Sequence, residues 1–173
     1  MSNFKEDLRD IKAFIFDIDG VLSTQTITLD KGGHPLRSIN LRDGYALQLA
    51  VKNGYRIAVI SGGNSESYRK RLKSLGISNV NLNSSNKLKV FDEYIENENL
   101  NPAEVLYMGD DIPDLEVMKR AGIAVCPADA DSEVKQISNY ISDKKGGEGC
   151  VRDIIEQVMR LHGKWLNNDA FLW

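Results

Sequence analysis

Cysteine and histidine are scarce in this sequence, with two residues of each among 173. Cys126 and Cys150 lie far apart and match no zinc or redox spacing, so we expect small buried side chains in a reducing compartment. Apolar runs are short, and none has the length of a bilayer span. The opening MSNFKEDLRD lacks the apolar stretch of a secretory signal. These absences argue against membrane and secreted proteins and predict a cytoplasmic location.

An excess of charge of one sign is also missing. The chain has 22 Lys and Arg against 25 Asp and Glu, a formal net charge of −3, with neither a basic stripe nor an acidic tail. Nucleic acid is therefore not expected as a partner. Because 42% of the residues are hydrophobic and no linker or repeat interrupts them, residues 1–173 are predicted to form a single domain.

Strand and helix patterns alternate along the chain. Short apolar runs bounded by turn residues predict buried strands in the run from Ile11 to Ile18 and in YRIAVIS, EVLYMGDD and IAVCPA, with a short strand from about Val80 to Leu82. Apolar residues at helical spacing predict helices in RDGYALQLAVKNG, NSESYRKRLKSLG, residues 87–98, IPDLEVMKRAG and CVRDIIEQVMRLHG. Lys31, Gly32 and Gly33 separate two extended segments, as in a hairpin. The alternation predicts an α/β fold with a doubly wound parallel sheet and a β-hairpin.

Polar residues directly follow three of the predicted strands. They are Asp17 with Asp19, Ser61 with Gly62 and Gly63, and Asp110 with Asp111. Because the carboxyl ends of parallel strands meet at one sheet edge, these groups are expected in one site. Asp17 and Asp19 by themselves fit a turn, with Gly20 at an unusual φ, equally well. Together the aspartate oxygens favour a hard cation and predict Mg²⁺ as the cofactor.

The other groups near these strand ends suggest a phosphate ligand. Ser61 and the amides of Gly62 and Gly63 precede a helix N-terminus, which favours anions. Lys87 begins another predicted helix and supplies a positive charge for a phosphoryl oxygen. Taken singly, Lys87 fits a solvated helix residue and Ser61 fits a capping hydroxyl. The aspartates nearby weaken both of these simpler interpretations.

At this point the motifs resemble a known family. DIDGVLS, ISGG, Lys87 and GDDIPD match, in order, the four motifs of the haloacid dehalogenase superfamily of phosphohydrolases. LRDGYALQLAVKNGYRIAVISGG, RLKSLGI, SNKL and GGEGCVRD are similar to one capless branch, the 3-deoxy-D-manno-octulosonate 8-phosphate phosphatases of lipopolysaccharide sugar synthesis. The resemblance extends from about Ile11 to Met159. It implies a Rossmann-like core and hydrolysis of a sugar-acid phosphate in the presence of Mg²⁺.

The resemblance also implies catalytic and metal-binding roles. Asp17 would be the nucleophile that forms an aspartyl-phosphate, and Asp19 would be the general acid and then the general base. The Asp17 carboxylate, the Asp19 backbone carbonyl and Asp110 would hold Mg²⁺. A receiver-type phosphoacceptor, which stores a phosphoryl group, would lack the acid at Asp19. A non-catalytic assembly module is the other non-enzyme alternative, and the complete motif set argues against it.

Four other residues receive supporting roles from the resemblance. Ser61 and Lys87 would bind the phosphoryl oxygens in the transition state. Asp111 and Asp114 would orient Lys87 and the metal ligands without ligating the ion.

The substrate-binding residues implied by the branch form a larger set. They are Asp19, Asn40, Leu41, Arg42, Asp43, Gly44, Gln48, Gly62, Gly63, Arg71 and Lys87. The chain departs from the branch at Gln48, Gly63 and Glu148, where arginines are typical, and this leaves the identity of the sugar acid open. The alternative substrate is 2-keto-3-deoxynononate 9-phosphate. Its branch has an acidic residue after the Ser-Gly, so Gly63 favours the eight-carbon sugar.

No segment is long enough to form the cap domain that gates most members of the superfamily. Members of the branch form homotetramers in which neighbouring subunits cover the site, so a homotetramer is expected here too. The hairpin TITLDKGGHPLRSIN would pair between subunits. Residues 144–149, followed by Arg152, resemble a mobile covering tail, and an ordinary glycine-rich loop before a helix is the alternative.

Overall fold

The computed structural model describes residues 4–172 of the chain. The strands are β1 (Ala13–Phe16), β2 (Thr28–Leu29), β3 (Pro35–Leu36), β4 (Arg56–Ile60), β5 (Asn79–Asn81), β6 (Val105–Met108), β7 (Ile123–Cys126) and β8 (Tyr140–Ile141). A six-stranded sheet has the order β5-β4-β1-β6-β7-β8, and each neighbouring pair runs parallel. The predicted doubly wound parallel sheet is confirmed.

Helices connect these strands and cover both faces of the sheet. They are α1 (Phe4–Asp7), α2 (Leu41–Lys52), α3 (Glu66–Ser74), α4 (Lys87–Asn97), α5 (Leu115–Arg120), α6 (Ser132–Ile137) and α7 (Cys150–Leu161). Buried residues of α2, α3 and α7 share one hydrophobic cluster, and those of α4, α5 and α6 share the other. Each strand-to-helix connection therefore opens at the same edge of the sheet.

Strand β1 is central, as its apolar sequence predicts. Phe14 and Phe16 point into one hydrophobic cluster, and Ala13 and Ile15 point into the other. All four residues are fully buried. A strand buried on both faces needs apolar side chains at every position, which explains why the run shows no polar alternation.

The hairpin is formed by β2 and β3, which pair antiparallel with Thr28 opposite Leu36. The carboxylate of Asp30 accepts hydrogen bonds from the amides of Gly32 and His34 and so closes the turn. Between β1 and β4 the chain contains only this hairpin and α2. The absence of a cap domain from that segment agrees with the sequence.

The glycine-rich segment 144–149 is held against its own chain. The amide of Gly147 donates to Val21 O at 2.8 Å, and that of Gly146 donates to Asp129 Oδ1 at 2.9 Å. A Cβ on Gly146 would collide with the backbone of Gly20, so only glycine fits there. These contacts describe the segment within one chain. Both interpretations, a cover for a neighbouring site and an ordinary loop before a helix, stay predictions.

The burial of both cysteines matches the sequence expectation. Cys126 and Cys150 are buried and free. Among residues 4–172, no helix combines the length and apolarity of a membrane span. The predicted domain also includes residues 1–3 and 173, which lie outside the described residues.

Candidate active site

The site lies where the strand order reverses direction. Strand β1 is flanked by β4 on one side and β6 on the other. Asp17 follows β1 and Asp110 follows β6, so the two acids leave adjacent strands at the same edge. The Asp17 amide donates to Met108 O at 3.1 Å and extends the pairing of β1 with β6 up to the site. This is the crevice in which open α/β sheets bind ligands.

Lys87 is the cation at the centre of the site. Its Nζ lies 2.8 Å from Asp17 Oδ2 and 2.8 Å from Asp114 Oδ1. Asn86 caps α4 by accepting a hydrogen bond from the Lys89 amide, and this fixes Lys87 in the first turn of the helix. Lys87 is 8% exposed, so solvent screens these ion pairs little.

Asp114 is fully buried and accepts hydrogen bonds at both carboxylate oxygens. Its Oδ1 accepts from Lys87 Nζ and from the Tyr107 hydroxyl at 2.6 Å, and its Oδ2 accepts from the Asp110 amide at 3.2 Å. A carboxylate occupied in this way positions other groups better than it ligates an ion. The role of Asp114 as an orienting residue stays a prediction, with which these hydrogen bonds are consistent.

The surroundings of Asp17 and Asp110 disfavour the charged forms of both carboxyl groups. Burial, and next to it the charge of Asp114, raises the pKa of Asp17 to about 6. Burial, and next to it the charge of Asp17, raises the pKa of Asp110 to about 8. For Lys87, burial lowers the pKa, but the charges of Asp17 and Asp114 outweigh it and the net pKa is raised. The lysine is therefore charged, while the acids lack sufficient counter-charge.

A divalent cation fits this imbalance. Ligand oxygens of Asp17, Asp110 and Asp114 all lie within 4.8 Å of one another. Gln25 Nε2 donates to Asp110 Oδ2 at 3.4 Å, a long hydrogen bond that leaves the carboxylate available as a ligand. A Cβ on Gly20 would collide with the Asp110 carboxylate, so the glycine keeps the space clear. Oxygen ligands of this kind suit Mg²⁺.

The third polar group follows β4. The Ser61 hydroxyl accepts a hydrogen bond from the Gly63 amide at 3.2 Å, and Ser61 is almost fully buried. The Ser84 Oγ is buried without a hydrogen-bond partner and lines the same cavity. An unpartnered buried hydroxyl beside Ser61 is a further donor that an anionic ligand would satisfy.

One open cavity of about 870 Å³ brings the predicted catalytic, metal and phosphate residues together. Its lining includes Asp17, Asp19, Ser61, Gly62, Gly63, Lys87, Asp110, Asp111 and Asp114. An opening of this size admits a sugar phosphate without a domain movement.

Asp19 is held by a residue that the sequence reasoning missed. Arg37, just after β3, donates from Nε to Asp19 Oδ1 at 2.6 Å and from Nη2 to Asp19 Oδ2 at 2.8 Å. The hydrogen bonds to Asp19 are the main reason that the pKa of Arg37 lies above its usual value. An arginine in a polar hairpin gives no sequence signal for such a contact.

Several predicted substrate-binding residues lie away from this cavity. Asn40, Asp43, Gly44 and Arg71 line a second, much smaller hollow, whereas Leu41 and Arg42 are exposed and Gln48 is half-buried. Asn40 caps α2 through the amides of Arg42 and Asp43. A substrate role for these residues within one chain stays a prediction.

Asp43 has a structural task. Its Oδ1 accepts a hydrogen bond from the Arg152 amide at 2.7 Å, in the first turn of α7, where Gly149 offers no side-chain cap. Burial raises the pKa of Asp43 to about 6. The guanidinium of Arg152 lies 5.1 Å from the Trp165 ring centroid, so this residue packs against the aromatic ring.

Comparisons with known proteins agree with one another. A family model, haloacid dehalogenase-like hydrolase, matches residues 73–154. The chain is 34% identical over 154 residues to the 3-deoxy-D-manno-octulosonate 8-phosphate phosphatase of Escherichia coli (strain K12). That alignment covers 89% of this chain and 82% of the relative.

Solved structures agree with the sequence comparison. The crystal structure of the phosphatase of that name from Yersinia pestis superposes with a TM-score of 0.91 at 29% identity, covering 95% of this chain and 89% of the other. The one from Moraxella catarrhalis, in complex with a magnesium ion, a phosphate ion and a KDO molecule, superposes with a TM-score of 0.89 at 30% identity. It covers 98% of this chain and 95% of the other.

Proposed function

This chain belongs to the 3-deoxy-D-manno-octulosonate 8-phosphate phosphatase family of haloacid dehalogenase-like hydrolases, and we propose that it hydrolyses this sugar-acid phosphate to the free sugar acid and phosphate. The observation that best supports this proposal is the buried acid cluster at the sheet edge, where the strand order reverses direction. There one ammonium group, that of Lys87, faces the carboxylates of Asp17 and Asp114, with Asp110 beside them. Carboxylates that can hold Mg²⁺ beside a lysine that can bind a phosphoryl oxygen suit the hydrolysis of a phosphate monoester.

Asp17 is the proposed nucleophile. Its carboxylate is fixed by the Ile18 amide, which donates to Oδ1 at 2.6 Å, and by Lys87 at Oδ2. Attack by one carboxylate oxygen on phosphorus forms the aspartyl-phosphate, and the bond from phosphorus to the sugar oxygen breaks. Lys87 and the amides after Ser61 bind the non-bridging oxygens, whose charge is stabilised in the transition state.

Asp19 is the proposed acid and base. In the first half-reaction its proton passes to the departing sugar oxygen. In the second, its carboxylate takes a proton from water as that water attacks phosphorus and the bond to Asp17 breaks. The side chain is 38% exposed and lines the cavity, so water and a sugar hydroxyl both have access to it.

The Asp17 and Asp110 carboxylates and the Asp19 backbone carbonyl are the proposed Mg²⁺ ligands. Bound there, Mg²⁺ supplies positive charge that offsets the carboxylates and lets an anionic phosphate enter. Asp114 and Tyr107 keep Lys87 and the Asp110 backbone in place from behind.

A homotetramer is the proposed active assembly, because the cavity is open and the described chain has nothing to close it. Large apolar side chains on and beside the hairpin are exposed: Ile27, Leu29, Leu36, Ile39 and Leu41. Two-residue strands with bare edges and exposed leucines suit pairing with another copy. Such pairing would bring neighbouring subunits next to the open site.

The test of the proposed substrate is a comparison of phosphate release from two sugar acids. We expect kcat/KM for 3-deoxy-D-manno-octulosonate 8-phosphate to exceed that for 2-keto-3-deoxynononate 9-phosphate by at least about tenfold, roughly the effect of one well-placed contact. Equal or reversed values would support the nine-carbon alternative. No release from either compound would contradict the assignment.

A further inference from the structure

The ion pair between Arg37 and Asp19 joins the hairpin to the site. The guanidinium grips both carboxylate oxygens in parallel, at 2.6 Å and 2.8 Å. Bidentate pairs of this kind fix the plane of the carboxylate as well as its position, which a single hydrogen bond does not. The Arg37 side chain is only 6% exposed, so its surroundings restrict its movement.

A third hydrogen bond anchors Arg37 from the other side. Its Nη1 donates to the backbone oxygen of Asn64 at 3.1 Å, in the loop that follows β4. Arg37 thereby connects three loops, those carrying Asp19, Ser61 and the hairpin itself. Turning the Asp19 carboxylate would break two hydrogen bonds, and moving the guanidinium would break a third.

Gly63 provides the room for this arrangement. A Cβ at that position would lie 2.5 Å from Arg37 Nη2 and 3.0 Å from Asp19 Oδ2. Both distances are shorter than ordinary contacts, so any side chain at position 63 would push the guanidinium off the carboxylate. No backbone obstacle lies near that Cβ, which means that the arginine would move first.

We propose that Arg37 is the positioning residue of Asp19 in the hydrolysis, and that Gly63 is its steric complement. The inference rests on the proposed function, because it assumes that Asp19 passes a proton to the departing sugar oxygen. An acid displaced by about 1 Å loses on the order of 10²-fold in rate. A guanidinium fork that fixes the carboxylate avoids that loss.

The leaving group distinguishes this role from a merely structural one. A sugar alkoxide needs a proton as it departs, whereas p-nitrophenolate leaves without one. Rapid-quench experiments measure the rate at which the sugar phosphate phosphorylates the protein. In Arg37→Gln we expect this rate to fall by roughly 10- to 100-fold. The burst of p-nitrophenol from p-nitrophenyl phosphate should fall by less than about threefold, since that step needs little acid assistance.

Three further variants test the geometry. Gly63→Ala keeps every charged group and should reproduce the leaving-group dependence of Arg37→Gln. The double variant should be little worse than either single one, because both remove the same contact. Arg37→Lys, which offers a single point charge in place of a fork, should recover part of the loss.

Arg120→Gln is the matched control, since Arg120 forms an exposed ion pair with Asp92. It should leave both substrates unaffected. Equal losses on the two substrates in Arg37→Gln, or no loss in Gly63→Ala, would overturn the proposal. If Arg37→Gln does not fold, Gly63→Ala and Arg37→Lys decide the outcome. Failure of the wild-type protein to release phosphate would instead refute the proposed function itself.

Discussion

Lys87 and Asp17 form an ion pair of 2.8 Å between side chains that are 7% and 10% exposed. The same ammonium serves Asp114 on its other side. Lys87 thus holds the proposed nucleophile in place and offsets part of the charge of the acid cluster. Because both partners are buried, the loss of either one leaves an uncompensated charge.

Replacing Lys87 should therefore affect stability as well as activity. In Lys87→Met at pH 8 we expect the free energy of unfolding to fall by about 3 kcal/mol, the usual size when one partner of a buried pair is removed. Phosphatase activity should be lost. Urea unfolding measures the first effect, and Lys89→Met, an exposed change on the same helix, is the control. An unchanged unfolding midpoint would show that the ion pair contributes nothing to the stability of the fold.

Asp19→Asn should separate the two half-reactions. The amide neither gives nor takes the proton, so turnover of the sugar phosphate should drop by ~10²–10⁴-fold or more. The nucleophile is intact, so p-nitrophenyl phosphate should still phosphorylate Asp17 and the phosphoenzyme should accumulate. Mass spectrometry of quenched samples detects an adduct on that residue. Turnover like that of the wild type would exclude the assigned role.

Mg²⁺ affinity should depend on pH. Because burial and Asp17 raise the pKa of Asp110 to about 8, protons compete for this ligand below that pH. The half-saturating Mg²⁺ concentration should rise by up to about tenfold for each pH unit from 8 down to 6. Isothermal titration across this range measures it, and an affinity independent of pH would contradict the assignment of Asp110 as a ligand.

The metal-free protein should show the matching trend in stability. The folded-state pKa values of Asp17 and Asp110 lie above the ordinary 3.8, so the folded protein binds more protons than the unfolded chain. The contribution of these two groups to the free energy of unfolding is fully present below about pH 4. It is lost as pH rises through about 6 and about 8. The increase in melting temperature on adding Mg²⁺ should therefore be larger at pH 8.5 than at pH 5.5.

The hairpin leucines should control assembly. Leu29→Lys with Leu36→Lys places charges on the proposed subunit contact and should shift sedimentation from tetramer to monomer, with a loss of activity. Leu166→Lys, also at an exposed leucine, is the control and should leave the assembly unchanged. A wild-type protein that sediments as a fully active monomer would refute the proposed assembly.

The sequence predicts much of the site because its residues follow apolar strands directly. Asp17, Ser61 and Asp110 each end a strand whose burial is evident from composition, and parallel topology then brings them together. Strand β8 and helix α6 were not predicted. They have two and six residues, which is too short for a periodic pattern of apolar residues to be recognised.

Contacts between segments that lie far apart in the sequence could not be predicted from residue patterns. Arg37 looks like a solvated hairpin residue until the fold brings it to Asp19. Nothing in the sequence around Asp43 indicates that its Oδ1 accepts a hydrogen bond from the Arg152 amide in α7, 109 positions away. The close approach of the chain at Gly20, which excludes a Cβ at Gly146, also gives no sequence signal.

The most direct test measures phosphate release from 3-deoxy-D-manno-octulosonate 8-phosphate by the wild-type protein and by Asp17→Asn, each with Mg²⁺ and with excess chelator. The account predicts release only by the wild type with Mg²⁺, and full recovery when Mg²⁺ is added back after chelation. Undiminished release in chelator, or release by Asp17→Asn at the wild-type rate, would contradict it.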